Sequence, residues 1–496
     1  MKPLVLCFSR SYLAHLLPEL ARAGSTVEFL HVVQTERERE IVEQKGGRVV
    51  AVLQTVFRRD LASATPPLWE EPPDFRTVTD FPWDPLQADR YIPLFQPGMQ
   101  SKIAGSIFQT FQILFADHDF KAVLGEPVAI FPTQVMQYLI KKKAGASLLW
   151  SPAFFPGSFH FSDRITISRP KKHHPVQPDL SQGMMQTLHS YINGIASDQA
   201  GPSNHHKFAE KKVRAVDYFS QREGKSSRVY VGGLSAIAIQ VARLARASAA
   251  RLMFPRASDY MTAAAVSEHL FYLKCLLKTR RSHDAPPTQY AEKNIFFPLQ
   301  FEPEASLLYF APQVRSQLRL VENIVQAMPT GATLWVKEHP NQFGALALAE
   351  WQALRRRHGK LKFIYGRENG RELIKRCGLG IAITSTAGMD ALILGRKTLV
   401  FGDVFYRSLP GAIPVDGYAD LAVELNRAEN YGIFDFKDQI AEALRPYCES
   451  CYIGNPGPSA KLYTPENLTA IYLAIESEIK TLQTVPRDVI RDVIAA

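Results

Sequence analysis

The sequence predicts an α/β protein built from two Rossmann-like domains, with a helical insertion between them and a helical C-terminal tail. Three observations carry this. Apolar runs of strand length alternate with segments of helical spacing over the first 150 residues, and the same alternation resumes at Asn294. Strand–helix–strand succession implies right-handed crossovers and therefore parallel sheets. A chain of 496 residues is long enough for two or three domains of roughly 150 residues each.

The first block opens with residues 3–9 as a buried strand. Residues 11–22 carry apolar side chains at helical spacing, and Gly24 ends that segment. Residues 26–33 form a second strand, 36–44 a charged helix stopped by Gly46-Gly47, and 48–53 a third strand. The stretch 65–91, rich in Pro, Asp and Trp, reads as an irregular excursion. A strand at 121–125, a helix at 131–143 and a strand at 147–150 follow. From 169 to 212 the pattern is lost and a long loop is expected. Residues 234–278 are Ala-rich and helical, and 278–287 read as a linker. The second block predicts strands at 295–299, 333–337, 361–365, 379–383 and 398–401, with helices between them. Domain boundaries fall at 1–290, 291–460 and 461–496, the last a helical tail with a break at Pro486.

Hydrophobic residues make up 46% and charged residues 21%, which excludes a disordered chain, a collagen and a disulfide scaffold. No stretch approaches the roughly 18 uncharged apolar residues of a membrane-spanning helix. The opening Met1-Lys2-Pro3, followed by Leu4 to Ser9, lacks a long apolar core and a cleavage site. It reads as a first strand and not a signal peptide, and a cytoplasmic location is expected. Basic residues number 58 and acidic 48, a net +10 that fits an anionic ligand or an anionic membrane surface. There is no zinc finger, RNP-like motif or basic–aromatic repeat, so nucleic acid is not an expected partner. Cys448 and Cys451 form a lone C-x-x-C without a second pair, and the histidine pairs at 173–174 and 205–206 lie in polar stretches. Reduced thiols and no metal site are expected.

Neither G-x-G-x-x-G nor G-x-x-x-x-G-K-[ST] occurs after the first strand, which disfavours a dinucleotide oxidoreductase and a P-loop NTPase. Ser9-Arg10-Ser11 stands there instead, offering hydroxyls and a cation. Ligands of doubly wound folds bind beyond the carboxyl ends of the strands, so the loops after strands are informative. Three such loops stand out. The first, Leu299 to Ser306, places Gln300 and Glu302 where they can hold a ribose or base edge; acids there equally suit a helix start. The second, Lys337-Glu338-His339-Pro340, sets an imidazole and an ammonium where a phosphate can be held; a surface histidine before a helix reads the same. The third, Thr384-Ser385-Thr386-Ala387-Gly388, opens a helix with hydroxyls and free N–H groups, an anion site in which Gly388 permits close approach; a plain Ser/Thr N-cap has the same composition. In the first block Glu126 follows one strand and Asp163 follows the next. Either suits acid–base work or sugar contact, and either suits a helix cap or a surface salt bridge.

The runs Phe297 to Ser306, Lys337-Glu338-His339-Pro340-Asn341, Thr384 to Gly388 and Phe401-Gly402-Asp403-Val404-Phe405-Tyr406 together resemble the bacterial capsule polysaccharide biosynthesis family. That family includes the β-Kdo transferases of capsule and lipopolysaccharide assembly; Kdo is an acidic eight-carbon sugar. The resemblance is strongest over 294–408. It implies a GT-B fold with a cleft between the two domains, and a CMP-activated sugar donor bound by the second. It assigns the nucleotide phosphate to His339, Ser385 and Thr386, flanked by Lys337, Pro340, Thr384 and Gly388, and the nucleotide-side loop to Gln300 and Glu302. It implies no metal and no other cofactor. It implies a retaining mechanism with an acidic nucleophile in the first domain. The Glu-Asp-Gly that related members carry there is missing, which leaves Asp163 and Glu126 as candidates. The expected function is transfer of Kdo, or a similar acidic sugar, from a CMP-sugar to a surface polysaccharide or lipid-linked glycan. Lys141-Lys142-Lys143 and Arg280-Arg281 would suit a lipid-linked acceptor at an anionic inner-membrane surface, and equally suit solvated faces. Two alternatives stay open: a GT-B-like subunit of an export complex that has lost catalysis, and a transferase using a UDP- or GDP-sugar.

Overall fold

A computed structural model describes residues 2–166, 170, 178–197, 233–253, 260–263, 265–278, 283–339, 342, 344–366, 368–457 and 462–484. Its framework is two sheets. The first holds β1 (Leu4–Phe8), β2 (Glu28–Val33), β3 (Arg48–Val52), β4 (Phe120–Gly125), β5 (Ala146–Pro152) and β6 (Ser158–Ser162). The second holds β7 (Ala291–Pro298), β8 (Thr333–Lys337), β9 (Leu361–Ile364), β10 (Cys377–Ala382), β11 (Thr398–Val400) and β12 (Ala412–Pro414). A short last strand, β13 (Tyr452–Ile453), returns to the first sheet and pairs antiparallel with β6.

Strand order is 3-2-1-4-5-6 in the first sheet, with β13 beyond β6, and 9-8-7-10-11-12 in the second. β1 to β5 pair parallel, β6 runs antiparallel to β5, and the second sheet is parallel throughout. Both sheets are therefore doubly wound, and the two-domain α/β reading holds. The order reverses between β1 and β4, and again between β7 and β10. At each reversal the connections leave in opposite directions and open a crevice at the carboxyl edge.

Local chemistry explains the elements. β1 reads Leu-Val-Leu-Cys-Phe, an unbroken apolar run suited to a strand covered on both faces. Helix Glu36–Gln44 starts on a capping box, in which Thr35 and Glu38 satisfy each other's N–H groups. Helix Leu13–Ala23 buries Leu13, Leu16, Leu17 and Leu20 in the first domain's core, and the C-terminal helix Pro465–Thr484 adds Ile471, Tyr472, Ile475 and Ile479 to the same cluster. The Tyr472 hydroxyl accepts the N–H groups of Thr26 (2.8 Å) and Val27 (3.1 Å). A Cβ on Gly24 would lie 2.0 Å from the Tyr472 ring, so Gly24 makes room for that ring as well as ending a helix.

Three stretches differ from expectation. Within 169–212 the structure has a helix, Pro178–Ala196, whose Leu188, Tyr191 and Ile192 join Met389, Leu392 and Tyr447 in one core. Its apolar positions are separated by Gln, His, Ser and Asn, which obscured the periodicity. The excursion 65–91 contains a short helix, Phe75–Thr79. The 21-residue helix Pro97–Asp117 that follows was not anticipated at all. The insertion is helical as expected, over Gly233–Met253, Tyr260–Ala263 and Ala265–Lys278.

Candidate functional site

The site is assembled from loops at the carboxyl edge of the second sheet. Gln300 and Glu302 leave β7 with no neighbouring strand to take their backbone hydrogen bonds. Two side-chain amides replace it. The Gln300 N–H donates to Gln317 Oε1 (2.7 Å), and Gln317 Nε2 donates to the Gln300 carbonyl (3.0 Å). The Glu302 N–H donates to Gln342 Oε1 (3.0 Å), and Gln342 Nε2 donates to the Glu302 carbonyl (2.6 Å). The loop is thereby held open at the mouth of the crevice. The Gln300 side chain crosses the reversal between β7 and β10, where its Nε2 donates to Thr384 Oγ1. The residue is 6% exposed, and its Oε1 is buried without a partner among the described residues. Leaving such an atom unpaired costs about 1–3 kcal/mol, which a ligand donor would remove.

The His339 ring, half-buried, meets the edge of Phe301 with centroids 5.9 Å apart, and Phe301 lies over Tyr272 of the insertion at 6.3 Å. The imidazole and the Thr384 turn are therefore on one edge of one sheet, bridged by Gln300 and Phe301. Glu302 carries its carboxylate at the cleft wall; the surrounding protein raises its pKa, partly opposed by hydrogen bonds from Gln317.

Other predicted residues sit differently. Lys337 is buried, and its ammonium donates to the Gly366 carbonyl (2.6 Å), away from the cleft. Burial lowers its pKa to about 8. It supports the loop after β9 and does not supply the phosphate-facing charge expected of it. Ser385 Oγ accepts the Ala387 N–H (3.2 Å) as an N-cap to helix Thr386–Ile393, and its carbonyl accepts the Tyr406 hydroxyl (2.6 Å). A Cβ on Gly388 would lie 2.7 Å from Ala382 Cβ and 2.8 Å from the Tyr406 hydroxyl. Gly388 thus serves packing against Tyr406 and not approach of a phosphate. Thr386 opens the helix, and Pro340 lies outside the described residues.

A cleft of about 500 Å³ brings three predicted residues, Gln300, Glu302 and His339, together with Arg90 of the first domain and with Glu268 and Tyr272 of the insertion. Thr384 meets this cleft through Gln300; Lys337 and the turn from Thr384 to Gly388 are not among its lining. Arg90, Glu268 and Tyr272 escaped the sequence reading, because they stand in an irregular stretch and on an insertion helix with no motif of their own.

At the first sheet's reversal, Glu126 follows β4 and accepts a hydrogen bond from the Tyr12 hydroxyl. Burial raises the Glu126 pKa, while the Tyr12 hydrogen bond and the Arg10 charge pull it down. Arg10 and Glu126 line a smaller cavity of about 20 Å³, room for a single water. Asp163 is elsewhere. It follows the antiparallel β6, is exposed, accepts Gln137 Nε2 on its carbonyl (2.9 Å), and faces the Lys141 charge. Gln137 and Lys141 lie in the later turns of helix Phe131–Lys142, beyond its start at the carboxyl edge. Asp163 lines neither cavity.

The basic triplet is also engaged. Lys142 pairs with Asp74, and the Lys143 ammonium donates to the Phe115 carbonyl. Arg280 and Arg281 lie outside the described residues. Among the described residues no cluster of His, Cys, Asp and Glu is arranged to hold a metal, and no helix is long and apolar enough to cross a membrane. Cys448 and Cys451 are buried free thiols whose pKa values burial pushes up.

The profile of the capsule polysaccharide biosynthesis protein family matches residues 193–414. Among solved structures, a KpsC β-Kdo 2,4 transferase of Thermosulfurimonas dismutans aligns at 13% identity over 73% of this chain and 87% of its own, with a TM-score of 0.30. The β-Kdo 2,7 transferase of KpsC from the same organism aligns at 14% identity over 75% and 89%, with a TM-score of 0.31. A UDP-GlcNAc 2-epimerase of Methanocaldococcus jannaschii aligns at 11% identity over 90% and 99%, with a TM-score of 0.27. No curated protein matches the chain. Over residues 193–414, then, the chain carries the sequence pattern of the capsule polysaccharide biosynthesis family, as its motifs indicated.

Proposed function

We propose that the protein is a glycosyltransferase that moves Kdo, or a closely similar acidic sugar, from a CMP-activated donor to a bacterial surface polysaccharide or lipid-linked glycan. The observation that carries this is Gln300. One of its two amide atoms is engaged by Thr384; the other is buried without a partner among the described residues, at the wall of the cleft that His339 lines. An amide in that state suits the edge of a base or ribose. His339 suits the phosphate, and the N-terminus of helix Thr386–Ile393, which adjoins the cleft through the Gln300–Thr384 hydrogen bond, would add to it. Together they suffice for the single phosphate of a CMP-sugar, so no metal enters the reading.

On this reading Glu126, at the carboxyl edge of the first sheet, is the first-domain group that meets the sugar, which requires the sugar to enter the small cavity that Glu126 and Arg10 line. Its carboxylate attacks the anomeric carbon as the bond to the CMP phosphate breaks; the acceptor hydroxyl then displaces Glu126, its proton passing to the released phosphate. Contact with an anionic membrane surface falls to helix Gly233–Met253, which bears Arg243, Arg246 and Arg251 and no acid.

The test is titration with CMP. The protein binds it, and His339→Ala weakens binding about ten-fold or more, the scale of a charge-assisted hydrogen bond. Unchanged affinity removes the nucleotide assignment. A thermal-shift panel of CMP, UDP and GDP identifies the base, since the bound nucleotide raises the melting temperature by mass action.

A further inference from the structure

Among the described residues, the cleft contains a cation without a counter-ion. Arg90 lines it from the first domain and is half-buried. Its Nε is buried and has no hydrogen-bond partner, and no carboxylate among the described residues pairs with its guanidinium. The adjacent Asp89 does not neutralise it. That carboxylate accepts the N–H groups of Tyr91 (2.6 Å), Ile92 (2.9 Å) and Phe131 (2.6 Å) and the Tyr260 hydroxyl (3.3 Å). Burial raises the pKa values of Glu268 and Glu304; the nearby Arg90 charge opposes this in both, yet neither forms an ion pair with it. The side chain is anchored at its root: the Arg90 N–H donates to the Ala129 carbonyl (3.1 Å), and the guanidinium carbon lies 5.9 Å from the centre of the Tyr91 ring. Arg315, the other arginine of the cleft, is exposed and lies over the Trp83 ring at 5.5 Å, so water solvates it. A guanidinium nitrogen withdrawn from water without a partner is costly, and an anion offering two oxygens removes that cost through two parallel N–H···O bonds, one of them to Nε.

We infer that Arg90 is the cleft's ligand for an oxyanion of the donor. This rests on the function proposed above and adds the residue by which the first domain holds the donor. Gln300 and His339 approach from the second domain, so Arg90 meets the end of the molecule away from the base. A sugar carboxylate and the nucleotide phosphate share the required chemistry, and the two are separable by ligand.

Calorimetric titration of the full chain with CMP and with CMP-Kdo, on wild type, Arg90→Gln and Arg90→Lys, tests this. The expected result is CMP affinity within about two-fold of wild type in both variants, with CMP-Kdo bound about ten-fold more weakly by Arg90→Gln and to an intermediate degree by Arg90→Lys. An equal loss for CMP itself keeps Arg90 as the oxyanion ligand and assigns it the phosphate. Wild-type affinity for both ligands in both variants overturns the inference alone. If wild type binds neither ligand, the proposed function falls and the inference with it. Should Arg90→Gln fail to fold, Arg90→Lys decides: it keeps the charge, lacks the fork, and on this account loses CMP-Kdo affinity but not CMP affinity.

Discussion

The two sheets share one strand order but furnish their carboxyl edges differently. The second sheet's edge brings amides, hydroxyls and an imidazole, from Gln300, Gln317, Gln342, Thr384, Ser385 and His339, beside the Glu302 carboxylate. Gln300 is hydrogen-bonded to Gln317 and Thr384, Gln342 holds the Glu302 backbone, and among the described residues one amide atom of Gln300 is left over. The first sheet's edge concentrates charge: Glu126 is half-buried beneath the Tyr12 hydroxyl, with Arg10 beside it. An edge preformed mainly from amides and hydroxyls binds without large desolvation; a carboxylate whose pKa burial raises is costly to maintain and suits a reacting centre. On the proposed function, the same topology serves as a binding lobe in the second sheet and as a reacting lobe in the first.

That contrast sets what substitutions do. Glu126→Gln removes the carboxylate without changing its shape, and kcat falls about 100-fold or more while CMP affinity stays within about two-fold. A loss of affinity with turnover intact would erase the distinction between the lobes. On the binding side, Gly388→Ala drives a methyl group into Ala382 and the Tyr406 hydroxyl, and denaturant unfolding shows a loss of about 1–3 kcal/mol. No loss would return Gly388 to the role of admitting a phosphate. Tyr12→Phe has a smaller effect, read in the pH profile. The Tyr12 hydrogen bond lowers the Glu126 pKa, so removing it raises that pKa. If the carboxylate is the reacting form, the rising limb of kcat/KM against pH moves to higher pH. A limb that stays in place means that Glu126 is not the titrating group. Smallest of all, Asp163→Asn changes turnover by less than about two-fold, since its carboxylate is solvated and faces Lys141. A large loss there would move the reacting centre away from Glu126.

Much of this was legible in the sequence where the signal is local. Helix Glu36–Gln44 and strand β8 fall at the residues their patterning indicates, and the strand-end loops of the second block lie side by side. Gln300, Glu302 and His339 were identifiable because each follows a recognisable strand. What stayed hidden depends on distant partners. Nothing adjacent to Lys337 shows that its ammonium turns to Gly366, and nothing around Gly388 shows that Tyr406 fills the space beside it. Arg90 stands in a stretch without periodicity, and its significance arises only when the insertion and the second domain close around it. Tyr12 read as one more apolar residue of a helix, although it stands before the first turn and reaches Glu126.

The most direct measurement is a crystal structure of the protein with CMP bound. The account predicts the base against Gln300, the phosphate between His339 and the Ser385 turn, and the open side of that phosphate toward the first domain, where Arg90 and Glu126 lie. A nucleotide bound outside the cleft, or one whose phosphate points away from His339, would contradict it.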